Sequence, residues 1–183
     1  MTRSSLTIRL LAVSAIAPLV LAGAGIALML AWLPQVTGPV VIHWGVSGQS
    51  TGPAATYPVT VAILVPALVI LLSLVLAGTV RAGRPSIQQK LIAVVPLWLS
   101  VFLAGSASAL LFVQRESRTL DNPASILLVS GGAGVLVAVG AWFLLPVASP
   151  LVREHDRSAV PARTVATGEK VAWFGRTSAS PVL

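Results

Sequence analysis

The sequence predicts an all-α integral membrane protein, a bundle of four transmembrane helices. Hydrophobic residues make up 56% of its 183 residues, charged residues only 9%, and the mean hydropathy is +0.92. These values lie outside the usual range of soluble globular domains. The apolar residues fall into four charge-free segments, and about 20 helical residues suffice to cross the ~30 Å hydrocarbon core of a bilayer. The predicted segments are residues 10–33, 59–80, 91–113 and 126–146.

The first segment has a second interpretation. Arg3 and Arg9 precede an apolar run that contains the small residues Ala22-Gly23-Ala24, as in a cleavable secretory signal. The run continues to Leu33, well beyond the small residues. We therefore expect an uncleaved anchor.

Inside the segments, the sequence offers hydroxyl groups as the only hydrogen-bonding side chains. No Asp, Glu, Lys, Arg or His lies within any of them. Ion-coupled transport and voltage sensing require intramembrane ionisable groups, so the composition argues against a pump or a voltage sensor. Pro18, Pro66 and Pro96 lie inside segments and should kink them locally.

The positive charges predict the orientation of the bundle. Ten of the twelve Lys and Arg residues lie before the first segment, between the second and third, or after the fourth. The positive-inside rule places these stretches in the cytoplasm. We therefore expect residues 1–9 and the tail 147–183 inside, and the loop 34–58 outside. Because this distribution accounts for the net charge of +7, we expect no nucleic-acid partner.

Small residues recur at four-residue spacing in the third and fourth segments. This spacing places them on one helix face, where two backbones can approach closely. Two interpretations remain open: packing within one four-helix bundle, which we favour, and a homo-oligomer. The helix-packing candidates are Ala104, Gly105, Ser108, Ala109, Ser130, Gly134 and Ala138.

Aromatic residues lie near the ends of three segments. Trp32 and Tyr57 fall at the outer ends of the first and second segments, and Trp142 near the inner end of the fourth. Such positions are typical of interfacial anchors. We expect all three side chains to lie at the membrane surface.

The outer loop contains the most distinctive stretch of the chain, PVVIHWGVSGQSTGP at residues 39–53. Its glycines and prolines indicate a series of turns. His43 has four interpretations: a metal ligand, a pH-sensitive group, a general base, or, together with Trp44, a packing contact onto the bundle. Zinc needs three or four ligands, and only Glu116 and Asp121 are available on the same side.

The loop also lacks a catalytic constellation around His43, and the chain has no cysteine for a disulfide or a thiolate site. We predict no catalytic residue, no metal and no cofactor. We favour the interpretation that the loop packs onto the bundle. The candidates for ligand contact are His43, Trp44, Gly45 and Gly48.

A family resemblance rests on the same loop. Leu33-Pro34, His43, Trp44 and Gly48 resemble the hallmark of a bacterial membrane family catalogued as domain of unknown function 1648. That hallmark is Leu-Pro, an Ile-x-x-His-Trp/Phe-like core, then Gly and usually an Asp followed by an aromatic residue. Here Ile42 directly precedes the histidine, and Thr51 stands where the acidic residue is often found.

The same domain is found in proteins similar to the SdpI toxin-immunity protein, a membrane receptor that protects a producing cell and signals to a regulator. The resemblance therefore implies a location in the bacterial plasma membrane and a binding role for the outer loop. Because Thr51 replaces the acidic residue, we expect no charged contact at this position.

The tail 147–183 is polar and interrupted by prolines. Its alternating charges at residues 153–157 are typical of a solvated juxtamembrane turn. The run GEKVAWFGR at residues 168–176 is strand-like and similar to the opening of bacterial pleckstrin-homology-like domains. We expect either a chain cut short in such a domain or a segment that docks on the bundle or on another subunit.

The functional prediction rests on two missing features and on the outer loop. Lack of intramembrane charge and of a catalytic constellation argues against an enzyme or a small transporter. We expect a non-enzymatic binding, sensing or immunity protein whose outer loop meets an extracellular peptide. The alternative is an accessory or scaffold subunit of a larger membrane complex, in which the loop merely caps the bundle.

Overall fold

The computed structural model describes residues 9–46, 48–81, 86–115 and 122–145, so the predictions for the tail lie outside the described residues. Helix α1 (Ala17–Trp32) follows a π-helical turn (Ala12–Ile16) and runs into a 3₁₀ turn (Leu33–Gln35). The chain then forms a β-hairpin and three more helices. These elements are strands β1 (Val40–Gly45) and β2 (Gly48–Gly52) and helices α2 (Thr56–Arg81), α3 (Ser86–Gln114) and α4 (Ala124–Leu144).

Four helical stretches of the described residues are long and apolar enough to cross a membrane, which confirms the predicted number of spans. They are Arg9–Gln35, Thr56–Thr79, Ile87–Gln114 and Ala124–Leu144. The last helix ends two residues earlier than predicted. Leu145 is extended, with φ −78° and ψ 126°, because a residue that precedes proline disfavours the α conformation.

Helix α3 lies at the centre of the bundle. It packs against α1, α2 and α4, whereas α4 packs mainly on α3. Buried apolar residues form two clusters along it. The hairpin-end cluster includes Met29, Val61, Val65, Ala104 and Leu111, and the opposite-end cluster includes Leu10, Leu76, Val94, Leu97 and Ala141.

Part of the small-residue pattern lies between α1 and α3. Ala104 is buried, and a Cβ atom added to Gly25 would lie 3.0 Å from Ala104 Cβ and 3.4 Å from Ser108 Oγ. Ser108 Oγ also lies 3.5 Å from the carbonyl oxygen of Gly25. Ala109 is half-buried. Gly25 thus allows the close approach of α1 to α3, as small residues do in membrane helices.

The rest of the pattern lies between α3 and α4. A Cβ atom at Gly105 would lie 3.6 Å from Ser130 Oγ, and one at Gly134 would lie 2.8 Å from Trp98 Cδ1. Ala138 packs against the opposite-end cluster. The structure thus places these candidates in contacts within one chain.

Polar groups inside the helices are more varied than the sequence analysis assumed. The expectation that hydroxyls alone supply hydrogen bonds is wrong at Trp98, whose Nε1 donates to the carbonyl of Gly131 at 3.3 Å. Lys90 is also part of α3, because the helix begins at Ser86. Its side chain is buried, with Nζ 5.5 Å from the centre of the Trp142 ring, a cation–π geometry.

Pro18 is accommodated by local widening of the first helix. In the π-helical turn, the N–H of Ala17 donates to the carbonyl of Ala12, five residues back. The buried Ser100 hydroxyl donates to the carbonyl of Pro18 at 2.6 Å. A wider turn and a hydroxyl from α3 therefore satisfy backbone groups near a residue that cannot donate.

Candidate ligand-contact hairpin

The loop between the first two spans contains a two-stranded antiparallel hairpin, so neither the all-α prediction nor the predicted series of turns describes it. His43 pairs with Ser50 and Gly45 with Gly48, with a bulge between Val41 and His43. The β-branched run Val40-Val41-Ile42 favours a strand. Gly48 has a φ of +117°, which glycine adopts without a steric penalty. These residues make the hairpin a local consequence of the sequence.

The hairpin is attached to the bundle by Gln114, the last residue of α3. This side chain is only 7% exposed. The backbone N–H of Val41 donates to Gln114 Oε1 at 2.7 Å, and Gln114 Nε2 lies 3.4 Å from the carbonyl oxygen of Val41. The amide thus engages both backbone groups of one β1 residue, as a neighbouring strand would.

Tyr57 provides the second attachment. Its hydroxyl donates to the carbonyl of Val41 at 2.5 Å, and Gln114 Nε2 donates to the Tyr57 oxygen at 3.2 Å. The side chain is 8% exposed and belongs to the hairpin-end cluster. Tyr57 therefore does not present its ring to lipid as an exposed anchor would, and its hydroxyl joins α2 to β1 and α3.

Arg115 and its aromatic neighbours tie α1 to α3 at the same end of the bundle. The guanidinium carbon of Arg115 lies 4.0 Å from the centre of the Phe112 ring, and Phe112 meets Trp32 edge-on at 5.1 Å. Arg115 Nη1 also donates to Gln35 Oε1 at 3.3 Å. The end of α3, to which the hairpin is attached, is therefore itself held to the end of α1.

His43 and Trp44 do not act as one packing unit. Trp44 is half-buried and packs against the hairpin-end cluster, whereas His43 is exposed. Neighbouring side chains on a strand point to opposite faces. The packing interpretation thus describes Trp44, while His43 faces away from the bundle.

The two candidate glycines lie beside His43 at the end of the hairpin. Gly45 and Gly48 are both exposed. A Cβ atom at Gly45 would lie 3.2 Å from His43 Nε2, so a side chain there would crowd the imidazole. We call the exposed residues His43, Gly45, Gly48 and Ser50 the outer face of the hairpin.

The described residues contain no group of three or more His, Cys, Asp or Glu side chains that could hold a metal ion. Glu116 and Asp121, which the sequence analysis considered as partners of His43, lie outside the described ranges. The chemistry of the outer face is therefore that of an imidazole, a hydroxyl and exposed backbone, which suits hydrogen bonding to another molecule.

No protein-family model matches the chain, and neither a curated protein nor a solved structure shows significant similarity to it. The interpretation of the site therefore rests on its own geometry. Gln114 was not among the predicted site residues, because it lies just beyond the third predicted segment, 91–113. A polar amide one helical turn after Leu110, at the end of an apolar run, was the available signal.

Proposed function

We propose that the protein is a non-enzymatic membrane binding protein, of the sensing or immunity type, and that the outer face of the hairpin contacts an extracellular peptide or protein. One observation carries the proposal: a hairpin held to the ends of two helices, α2 and α3, presents His43 and Ser50 away from the bundle. Such a fixed surface loses little conformational entropy on binding. Membership in the family catalogued as domain of unknown function 1648 is part of the proposal and rests on the loop residues alone.

The orientation is also part of the proposal. The hairpin would face the outside of a bacterial plasma membrane and both termini the cytoplasm, on the grounds of the positive-inside rule. Because the chain has no cysteine, single introduced thiols can test this. In intact cells we expect Ser50→Cys to react with a membrane-impermeant maleimide and Ser86→Cys to react only after permeabilisation. The opposite pattern would reverse the orientation.

Binding by the outer face can be tested with a photo-crosslinking amino acid in place of Ser50 in intact cells. We expect mass spectrometry to identify one discrete peptide or protein adduct. Because His43 lies across the hairpin from this position, we expect His43→Ala to reduce its yield about tenfold, the effect of losing roughly 1.4 kcal/mol of binding energy. Since His43 is exposed, the variant should keep the melting temperature of the wild type.

Two comparisons make that test decisive. Trp44→Ala should lower the melting temperature, because its indole packs on the hairpin-end cluster. A crosslinker in place of the exposed Leu128 of α4 reports the background from lipid and neighbouring proteins. Capture of no partner from position 50, or capture unaffected by His43→Ala, would contradict the binding proposal.

The alternative function, an accessory or scaffold subunit, is favoured by one feature of α4. This helix packs mainly on α3, and its other side exposes Leu128, Leu136 and Phe143. A subunit partner or a second copy would cover this side, whereas in a monomer lipid would. Capture of a membrane protein from position 128, with none from position 50, would support the scaffold function.

A further inference from the structure

A cavity of about 190 Å³ lies between α2 and α3, next to the docked hairpin. Ile42 of β1 and Tyr57 of α2 line one end, and Leu64 and Leu103 line its deeper part. An apolar cavity of about 150 Å³ holds a benzene ring. The space is therefore large enough for a short length of hydrocarbon chain.

The cavity opens to the outside of the bundle within the membrane-spanning stretch. Thr60 and Leu64 line it and are themselves exposed, Leu64 by 43%. From Tyr57 to Leu64 the helix axis advances about 10 Å, and both residues belong to the span Thr56–Thr79. At this depth, the medium outside the opening is the outer part of the hydrocarbon core rather than water.

Polarity is graded along the cavity. The hydroxyl groups of Thr56, Tyr57 and Thr60 lie on the first two turns of α2, beside the hairpin. Deeper, the wall is apolar apart from Ser106, whose hydroxyl donates within its own helix to the carbonyl of Phe102 at 2.5 Å. A phospholipid has the same arrangement, with polar ester groups at the interface and an acyl chain below them.

The cavity is also connected to the attachment of the hairpin. The bulge in β1 lies between Val41 and His43, at Ile42, and Ile42 lines the cavity. Tyr57 lines it too and donates its hydroxyl hydrogen bond to Val41. A molecule packed in the cavity would therefore support both the strand and the side chain that holds it.

We propose that this cavity binds one acyl chain of an outer-leaflet phospholipid and that the bound chain stabilises the docked hairpin. The apolar depth, the hydroxyls at the interfacial end and the opening toward hydrocarbon all fit this occupant. The site is separate from the outer face of the hairpin. It does not depend on the binding function proposed above, although the assignment to the outer leaflet rests on the proposed orientation.

The test uses the full chain in lipid nanodiscs that contain a phospholipid with a diazirine in its acyl chain. We expect crosslinks to concentrate on residues 60–64 and 103–107. Ala107→Leu fills the cavity and should remove this concentration, since Ala107 lines it. The matched control Ala133→Leu lies on the exposed side of α4 and should leave the crosslinks unchanged.

A second measurement addresses the stabilising role. Delipidation of the wild type should lower its melting temperature, and added phospholipid should restore it. Ala107→Leu should lack this lipid-dependent shift because its side chain occupies the space. If Ala107→Leu does not fold, Thr60→Leu fills the exposed mouth instead and serves as the test variant.

Two results would overturn the proposal. One is labelling of the cavity residues no stronger than that of the lipid-exposed face of α4. The other is labelling, or a lipid-dependent melting shift, that persists in the cavity-filling variant.

Discussion

Gln114→Leu is expected to release the hairpin from the bundle and to lower the free energy of unfolding by about 1–3 kcal/mol. The change removes the acceptor of the Val41 N–H and one of the two donors near the Val41 carbonyl. A half-buried backbone N–H without a partner costs about this much. Amide hydrogen exchange should show the effect directly, as faster exchange at Val41 and its β1 neighbours, with the helix amides of α3 unchanged.

The same helix supplies a matched control for this prediction. Gln88→Leu makes the same chemical change near the other end of α3, at an exposed position, and should leave exchange in the hairpin unaltered. Gln114→Glu keeps an oxygen acceptor for Val41 but removes the donor to Tyr57. Its carboxylate would be buried and would face the carbonyl oxygens of Val41 and Leu110, so this variant should not restore the slow exchange of the wild type. Unchanged exchange at Val41 in Gln114→Leu would show that Tyr57 and Trp44 alone hold the hairpin.

The four spans could be predicted from the sequence because one physical requirement defines each of them. A helix that crosses hydrocarbon needs an uninterrupted apolar run of a known minimum length. This requirement applies only inside the hydrocarbon core and says nothing about residues at the membrane surface. It therefore placed Gln114 and Tyr57 at or beyond segment ends, where the structure finds the buried attachment of the hairpin.

The sequence could not predict this attachment, because the residues that form it are distant from one another along the chain. Gln114 and Val41 are 73 residues apart, and neither lies in a pattern that identifies a partner. The opposite faces of the strand on which His43 and Trp44 lie could have been predicted. They follow from the two-residue period of a strand, and the run Val40-Val41-Ile42 has the β-branched composition that favours one.

Small-residue spacing gave the right helix face but not its partners. The four-residue period selected Ala104, Ser108 and Gly134 without naming what each would meet. The structure places Gly25, which the pattern in α3 and α4 could not include, against Ala104. Gly134 faces the large ring of Trp98 rather than another small residue. The spacing of small residues is a property of one helix, whereas a contact depends on two helices.

Gly134→Ala is expected to disrupt the packing of α4 on α3 and to destabilise the protein by about 1–3 kcal/mol, the usual cost of overpacking. The new Cβ atom would lie 2.8 Å from Trp98 Cδ1 and 3.0 Å from the Trp98 carbonyl oxygen. The indole could rotate away only by giving up its hydrogen bond to Gly131. The carbonyl can move only with α3, the helix on which the rest of the bundle packs.

Gly132→Ala separates this clash from the general effect of alanine in a helix. A Cβ atom at Gly132 would meet nothing within 4 Å, so the substitution should be neutral or stabilise α4 by up to about 0.5–1 kcal/mol. Both variants gain the same helix propensity, and the difference between their melting temperatures therefore isolates the contact with Trp98. Equal melting temperatures would mean that α4 does not approach α3 as closely as Gly134 allows.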